Sequence, residues 1–447
     1  MTFTFSYETV ALIMFASMGL LMLTGQRVFG AIGFVGAVAG AFLWGTGGTE
    51  MAFNASMSLM NWFPMITLPL FIFMGYILSE SGIANDLYRM FHYRMFHVWM
   101  GPLPGGLAIG TVVLMVAISA MNGLSVAGMA IGATIALPEM LRRGYDKRMV
   151  SGVIQAGSSL GLMMPPSVVL VLYGMIARQP VNKLWLAGVG PALLFAVLII
   201  AYIVIRCRLN PSMGPALPAE ERAMPRAEKF RLLLAGLLPL AIIFSVTGFF
   251  LLGVTSLVES SAVGALAAMI AAALKHRLTA RVLRVSLLQT LSVTCMFMWI
   301  MVAALCFSSV FDGLGAVHAI RRLFLEDWGL SPWGVLIVMQ LSYLLMGMFL
   351  DDTAMLVIVA PLYIPLVKSL GFDPIWYGVL YTITCQIAYM TPPFGYNLFL
   401  MKAMAPKEIT LADIYSSIVP FVGIMLVGLV LVMLFPEIAM YLPDRFL

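Results

Sequence analysis

Two stretches of the chain decide its fold: GYDKRMVSGVIQAGSSLGLMMPPS at 144–167 and GFDPIWYGVLYTITCQIAYMTPPF at 371–394. Each opens on glycine, an aromatic residue and aspartate, continues as an apolar run, and reaches a Pro-Pro pair 21 residues after its glycine. Consecutive prolines remove two backbone donors and clash with the preceding turn, so neither run can continue as one helix. We therefore predict two broken helices, at about 149–177 and 375–404.

Residues around the first break recur around the second at a constant offset of 227 positions. They are Pro138, Gly144, Asp146, Pro165 and Pro166, which match Pro365, Gly371, Asp373, Pro392 and Pro393. One matching proline or glycine means little, but five matches at one offset indicate an internal duplication. The chain is predicted to be two copies of one unit, residues 1–209 and 232–447, joined by a polar cytoplasmic linker at 210–231.

The composition is that of a membrane protein. Of 447 residues, 62% are hydrophobic and 10% are charged, whereas a soluble chain carries about 25% charged residues. This excludes a water-soluble fold, and it excludes a disordered or disulfide-stapled chain. The net charge of +5 comes from basic residues between apolar runs, so it indicates loops at a lipid bilayer and no nucleic-acid partner. We predict an all-α polytopic membrane protein.

Eight apolar runs can cross the roughly 30 Å of hydrocarbon in a bilayer. They are Thr9–Leu23, Val28–Leu43, Phe63–Leu78, Leu184–Ile205, Leu232–Leu252, Val258–Leu274, Val285–Phe311 and Tyr415–Phe435.

Two further regions, at about 103–138 and 332–367, are predicted to be re-entrant helical hairpins. In each, a long apolar arm is followed by a polar tip, at 122–123 or 351–352, and by a shorter apolar arm. The shorter arms would rise only about 20 Å as helices, too little to cross comfortably. Non-helical backbone inside a membrane must face protein or a water-filled cavity, so the tips are expected to do so.

The two copies are predicted to be inverted, because an odd number of crossings separates equivalent positions. With the N-terminus outside, 19 of the 25 basic residues fall on one side, which is then expected to be cytoplasmic. Both termini would face the periplasm, the first hairpin would open inward, and the second would open outward.

Inverted repeats with broken helices are the general plan of secondary transporters, in which half-helix ends and unwound carbonyls hold ions and substrate. The candidate residues at the two tips and breaks are Ser119, Asn122, Gly123, Ser125, Gly157, Ser158, Ser159, Gly161, Ser167, Gly347, Asp351, Asp352, Thr353, Thr391, Gly395 and Asn397. Hard oxygen ligands suit small cations and a polar solute. For each residue singly, a capping or packing role stays open.

Two neighbouring acids in the second tip, Asp351 and Asp352, are the least expected residues of the set. A charge near mid-membrane costs several kcal/mol and usually lines an ion path or finds a partner. The alternative is a hydrated tip near the interface. The chain contains no phosphate-binding G-x-x-x-x-G-K-[ST], H-E-x-x-H or G-x-S-x-G sequence, so ATP-driven pumping and common hydrolase chemistry have no support and no enzyme activity is predicted.

Six motifs in order along the chain carry a family resemblance. They are LPLFIFMG at 68–75, LPEM at 137–140 with RGYD at 143–146, PPS at 165–167 followed by YG at 173–174, Gly347 followed by Asp351, GFDP at 371–374 and TPPFG at 391–395. In these motifs the chain resembles the large, DctM-type membrane subunit of tripartite ATP-independent periplasmic (TRAP) transporters. The motifs span nearly the whole chain.

The resemblance implies an elevator-type permease for Na⁺-coupled uptake of an organic acid, such as a dicarboxylate, across the bacterial inner membrane. A periplasmic substrate-binding protein would deliver the substrate, and a small four-helix membrane subunit would brace the scaffold. Carried over by motif, the Na⁺ ligands are Asn122, Ser125 and Gly157 at one site and Gly347, Asp351 and Thr391 at the other. Substrate would lie between the tips, with contacts at Ser158, Ser167, Asp352 and Asn397.

The chain departs from the family at the first tip. The family usually reads Ser-Gly-Ser-Ser there, whereas this sequence reads Asn122-Gly123-Leu124-Ser125. A ligand at Leu124 must therefore be its backbone carbonyl.

Two other classes of function remain as alternative hypotheses. The first is a self-sufficient Na⁺/carboxylate symporter of similar architecture that needs no binding protein. The second is a channel or an intramembrane enzyme, which the predicted alternating-access plan and the absence of a visible catalytic pair disfavour.

Overall fold

The computed structural model describes residues 6–44, 47–83, 103–122, 125–216, 241–242, 244–251, 253–348, 350, 352–392, 395–406 and 408–447. Every regular element within these ranges is a helix, which confirms the all-helical membrane fold. Large apolar side chains cover the outside: Leu12, Phe42 and Leu209 are 71%, 70% and 77% exposed. Such a surface suits lipid rather than water.

The helices of the first half follow in chain order. They are α1 (Tyr7–Leu23), α2 (Val28–Leu43), α3 (Met51–Met60), α4 (Thr67–Glu80), α5 (Gly106–Asn122), α6 (Ser125–Ile131), α7 (Leu137–Arg142), α8 (Lys147–Ser159), α9 (Val168–Ala177) and α10 (Val181–Leu209). A π turn, Gly132–Ala136, joins α6 to α7 without a break.

The helices of the second half that are longer than one turn continue the series. They are α11 (Leu257–Leu274), α12 (Ala280–Gly313), α13 (Ala316–Arg322), α14 (Pro332–Gly347), α15 (Asp352–Ser369), α16 (Pro374–Tyr389), α17 (Tyr396–Met404), α18 (Leu411–Leu434) and α19 (Glu437–Phe446).

Among the described helices, those long and apolar enough to cross a membrane are α4 with its preceding turn, α10, α11, α12 and α18. Each covers one of the predicted spans. The first two helices are shorter, at 17 and 16 residues. The predicted span Leu232–Leu252 and the predicted linker 210–231 fall mostly outside the described residues.

The repeated glycine and aspartate start both broken helices. Gly144 and Gly371 have φ values of 78° and 83°, a left-handed conformation that glycine adopts without steric cost. Two residues later, the carboxylates of Asp146 and Asp373 each accept hydrogen bonds from two N–H groups in the first turn that follows. An aspartate at this N-cap position satisfies donors that a helix leaves unpaired. The repeat is therefore a helix-start signal used twice.

Both broken helices are interrupted at their prolines. In the first half, α8 ends at Ser159 and a 3₁₀ turn covers Leu160–Leu162 before α9 begins at Val168. In the second half, α16 ends at Tyr389 and α17 begins at Tyr396. These broken helices occupy the centre of the protein, because α9 is buried along its whole length and α16 nearly so.

Both predicted hairpins fold back on themselves in the described residues. Thr111 of α5 contacts Met140 of α7 through its hydroxyl, 3.6 Å from the Met140 sulfur. In the second hairpin, the rings of Tyr343 in α14 and Tyr363 in α15 lie 5.3 Å apart, and a Cβ at Gly347 would lie 3.5 Å from Met355 Sδ. In the first hairpin a Cβ at Gly128 would also lie 3.6 Å from Met115 Sδ. In both hairpins, therefore, residues closer to the tip on one arm contact residues closer to the tip on the other, so the arms are antiparallel.

The second arms of both hairpins are longer than the sequence predicts, and the prediction that they are too short to cross the membrane is wrong. Helix continues from Ser125 through the π turn to Arg142, and α15 has 18 residues. At 1.5 Å per residue such an arm is about 27 Å long. Pro138 and Pro365 both lie within helix. The inverted orientation of the two halves stays a prediction.

A glycine allows α8 and α18 to pack closely. A Cβ at Gly152 would lie 2.5 Å from the Ser417 carbonyl oxygen and 2.3 Å from a ring carbon of Phe421. The N-terminal ends of the same two helices are joined by an ion pair of 2.7 Å between Lys147 and Asp413. The first broken helix is thus fixed against the last long helix.

We expect Gly152→Ala to destabilise the protein, because the added methyl group meets a backbone carbonyl that cannot turn away. Overpacking of this kind costs about 1–3 kcal/mol. The matched control is Gly423→Ala in α18, where nothing lies within 4 Å of the new Cβ; alanine there should be neutral or slightly stabilising. Thermal unfolding of the purified protein checks both, and equal unfolding midpoints for the two variants would contradict the packing.

Candidate transport site

A side-chain hydrogen bond joins the first hairpin to the second broken helix. Ser125, the first residue of α6, donates a hydrogen bond of 3.1 Å from its hydroxyl to the side-chain oxygen of Asn397, in the first turn of α17. Both residues are buried, with exposures of 1% and 0%. Two predicted site residues that lie 272 positions apart in the sequence are therefore neighbours.

The side-chain amide of Asn397 is hydrogen-bonded through its oxygen but not through its nitrogen. Its Nδ2 is buried and has no hydrogen-bond partner among the described residues. Exchanging the amide oxygen and nitrogen would leave the oxygen unpartnered instead, because Ser125 is the one described residue that hydrogen-bonds the amide. An unmet buried polar group costs about 1–3 kcal/mol. A polar solute that accepts a hydrogen bond from this amide would remove that cost.

The first hairpin also lies close against α8. A Cβ at Gly157 would lie 3.2 Å from the side chain of Met115 in α5, and a Cβ at Gly128 would lie 3.3 Å from the Cβ of Ser158. The Ser158 hydroxyl donates a hydrogen bond of 3.0 Å to the carbonyl of Gln155. Because Gly128 and Gly157 have no side chains, the α8 backbone can lie close to the tip, where the sequence predicts the first Na⁺ site.

Ser167 serves the helix break itself. It is the N-cap of α9: its hydroxyl accepts from the N–H of Leu170 and donates to the carbonyl of Leu162. Its own carbonyl accepts a hydrogen bond of 3.2 Å from the indole N–H of Trp185. The hydroxyl proton is therefore engaged within the protein, and the predicted substrate contact at Ser167 stays a prediction.

The second tip lies against α16. A Cβ at Gly347 would lie only 2.5 Å from the Ala388 Cβ, so this end of α14 tolerates no side chain. Thr391, just past α16, donates its hydroxyl proton to the carbonyl of Ile387 at 2.7 Å. The N–H of Thr391 donates to the Ala388 carbonyl at 3.0 Å, so Gly347 and Thr391 both lie beside Ala388, at the C-terminal end of α16.

Some predicted positions have no described geometry. Asp351, Gly123 and Leu124 lie outside the described residues, as does the side chain of Asn122. Within the part of the chain that is described, no three His, Cys, Asp or Glu side chains converge on one point. The available ligands are hydroxyls, an amide and backbone carbonyls, which are hard oxygen donors that suit an alkali cation better than a transition metal.

Sequence reasoning missed a set of buried tyrosines behind the second tip. Tyr173, Tyr343, Tyr377 and Tyr381 are completely buried, and their rings contact one another. The Tyr173 hydroxyl donates a hydrogen bond of 2.6 Å to the carbonyl of Pro374, which ties α9 to the start of α16. The sequence feature that could have indicated this cluster is the spacing of four residues between the tyrosines at 377 and 381, with a third tyrosine at 389.

Known proteins match the chain along most of its length. Residues 13–438 match the family described as "Tripartite ATP-independent periplasmic transporter, DctM component". The C4-dicarboxylate TRAP transporter large permease protein DctM of Pseudomonas aeruginosa is 30% identical over 389 residues, which cover 86% of each chain. The ectoine/5-hydroxyectoine TRAP transporter large permease protein UehC of Ruegeria pomeroyi is 29% identical, over 85% of this chain and 86% of its own.

A solved structure shares the fold. The YdaH transporter of Alcanivorax borkumensis superimposes with a TM-score of 0.64, over 98% of this chain and 99% of its own, at 12% sequence identity. At that identity the likeness concerns the fold alone, and the fold is that of a transporter. With the family match over nearly the whole sequence, the chain belongs to the DctM components, the large permease subunits of tripartite ATP-independent periplasmic transporters.

Proposed function

We propose that the chain is the large permease subunit of a Na⁺-coupled importer that carries an organic acid across the bacterial inner membrane. The family consists of binding-protein-dependent secondary transporters, so a periplasmic binding protein and a small membrane subunit are its partners. The observation that carries the site is the junction of Ser125 and Asn397. It is buried between the two halves, and in the described part of the chain the amide nitrogen of Asn397 has no partner.

The chemistry of this junction suits a carboxylate. Asn397 lies in the first turn of α17, where free N–H groups and the helix dipole favour negative charge. Its amide N–H can donate to a carboxylate oxygen, while Ser125 fixes the orientation of the amide. Asp352 and Ser158 line the neighbouring tip and helix in this proposal.

Coupling to Na⁺ rests on the hard oxygen donors near both tips. Gly347, Asp351 and Thr391 hold one ion in this proposal, and Asn122, Ser125 and Gly157 hold the other. A bound Na⁺ would offset the cost of keeping the Asp351 charge in a poorly hydrated tip. Ion binding then stabilises the closed conformation of the tip, and the closed tip binds the ion more tightly. This coupling allows the Na⁺ gradient to drive uptake.

The proposed movement is that of an elevator, with both termini in the periplasm. The hairpins and broken helices move together as a unit, because contacts such as the Ser125–Asn397 hydrogen bond join them. The outer helices, among them α1, α2 and α12, stay fixed. A small membrane subunit of about four helices would brace them.

The function is tested by uptake into proteoliposomes. We expect accumulation of the organic acid only with all three components, with loaded binding protein outside, and with an inward Na⁺ gradient. Robust uptake by this chain alone would favour a self-sufficient symporter, and flux that does not saturate with substrate would favour a channel. Uptake that is indifferent to Na⁺ would contradict the proposed coupling.

Asn397→Leu should slow transport without disturbing delivery, because it keeps the side-chain volume but removes the amide. We expect the maximal uptake rate to fall about tenfold or more, because the variant cannot donate a hydrogen bond to the charged carboxylate and the loss of such a bond has an effect of this size. The concentration of loaded binding protein that gives half-maximal uptake should stay unchanged. Asn61→Leu, at the exposed end of α3, is the control and should behave as wild type; a wild-type rate for Asn397→Leu would contradict the substrate site.

Asp351→Asn should raise the Na⁺ concentration needed for half-maximal uptake, because the amide keeps one carbonyl oxygen but loses the negative charge. Asp352→Asn is the comparison variant and should have the milder effect, because Asp351 rather than Asp352 is the proposed Na⁺ ligand. Na⁺ titration of uptake with all partners present measures both. Unaltered Na⁺ dependence in both single variants and in the double variant would remove these acids from the ion site.

A further inference from the structure

The second hairpin is held by two tyrosines that reach its tip from α16. The hydroxyl of Tyr381 donates a hydrogen bond of 2.6 Å to the carbonyl oxygen of Asp352. The N–H of Asp352 donates one of 3.4 Å to the hydroxyl oxygen of Tyr389. Asp352 is the first residue of α15, so both main-chain polar groups at the start of this arm are bound by side chains of the broken helix.

Each tyrosine also makes a second contact at the tip. The ring of Tyr381 lies 4.8 Å from that of Tyr343 in α14, so one side chain touches both arms of the hairpin. The ring of Tyr389 lies 5.6 Å from that of Tyr396, the first residue of α17, and its hydroxyl also hydrogen-bonds the Asp352 side chain. Together they fix the tip relative to both sides of the helix break.

The duplication does not account for these contacts. The residue 227 positions before Asp352 is Ser125, which is held through its side chain by Asn397. The residues at the same offset from Tyr381 and Tyr389 are Ile154 and Leu162, which carry no hydroxyl. The first N–H groups of a helix in a membrane need partners, and at the start of α15 the hydroxyl of Tyr389 accepts from one of them.

We propose that Tyr381 and Tyr389 are positioning residues for Na⁺ at the second tip. They hold the N–H and the carbonyl of Asp352, and so they fix the start of the second arm beside Gly347 and Thr391. Neither tyrosine touches the ion; they act by pre-forming the ion site, which removes an ordering cost from ion binding. The inference rests on the proposed function, because it requires that this tip bind Na⁺.

The same tyrosine cluster provides a matched control. Tyr377 is as deeply buried as Tyr381, and its hydroxyl donates a hydrogen bond of 3.1 Å to the Tyr343 hydroxyl rather than to the tip. Tyr377→Phe and Tyr381→Phe each remove one buried hydroxyl and keep the ring. They should lower the thermal unfolding midpoint in the absence of Na⁺ by similar amounts, and only Tyr381→Phe should change ion binding.

The test is equilibrium binding of ²²Na⁺ alone to the purified three-component complex in lipid nanodiscs. We expect Tyr381→Phe to raise the half-saturating Na⁺ concentration about three- to tenfold, the effect of one hydrogen bond. Tyr389→Phe should act in the same direction but less, because its bond to the N–H is longer. Tyr377→Phe should stay within about twofold of wild type.

The outcomes separate this inference from the proposed function. Absence of saturable ²²Na⁺ binding in wild type would contradict the proposed Na⁺ coupling. Wild-type binding with unchanged half-saturation in Tyr381→Phe and Tyr389→Phe would overturn the positioning role and leave the coupling intact. An equal shift in Tyr377→Phe would assign the effect to packing and also overturn it. Should Tyr381→Phe fail to assemble, Tyr389→Phe decides between the same outcomes.

Discussion

The structure depends on one constraint: a helix interrupted inside a membrane must find partners for the backbone groups it exposes. Each such group left unmet costs several kcal/mol in hydrocarbon. Here side chains supply the partners. Ser167 caps the second part of the first broken helix, and the hydroxyl of Tyr389 accepts from the N–H of Asp352 at the start of the last hairpin arm.

Meeting this constraint brings the two halves of the chain together. The Ser125 hydroxyl binds Asn397 across the duplication, and the Tyr173 hydroxyl binds the carbonyl of Pro374. The candidate substrate site therefore belongs to neither half alone. Its polar groups are few and buried, so a solute that enters exchanges its own hydration for a fixed amide, a hydroxyl and a helix N-terminus.

Local chemistry explains what the sequence could predict and what it could not. Pro165, Pro166 and the repeated aspartates act on their own neighbours, so helix starts and breaks were readable, as was the fold class. The arm lengths were not, because the π turn at Gly132–Ala136 carries helix through Pro138. The partner of Ser125 lies 272 residues away, and no local pattern indicates it. In the sequence, Tyr381 cannot be told from any other core residue. Its role is evident only from the hydrogen bond that its hydroxyl donates to the Asp352 carbonyl.

The most direct test of the account is a cryo-electron microscopy structure of the complete transporter with Na⁺ and its organic acid bound. We expect substrate density between the two hairpins, within hydrogen-bonding distance of the Asn397 amide nitrogen, for which the described residues supply no partner. Substrate density at another place in the protein, with the Asn397 amide enclosed by protein alone, would contradict it.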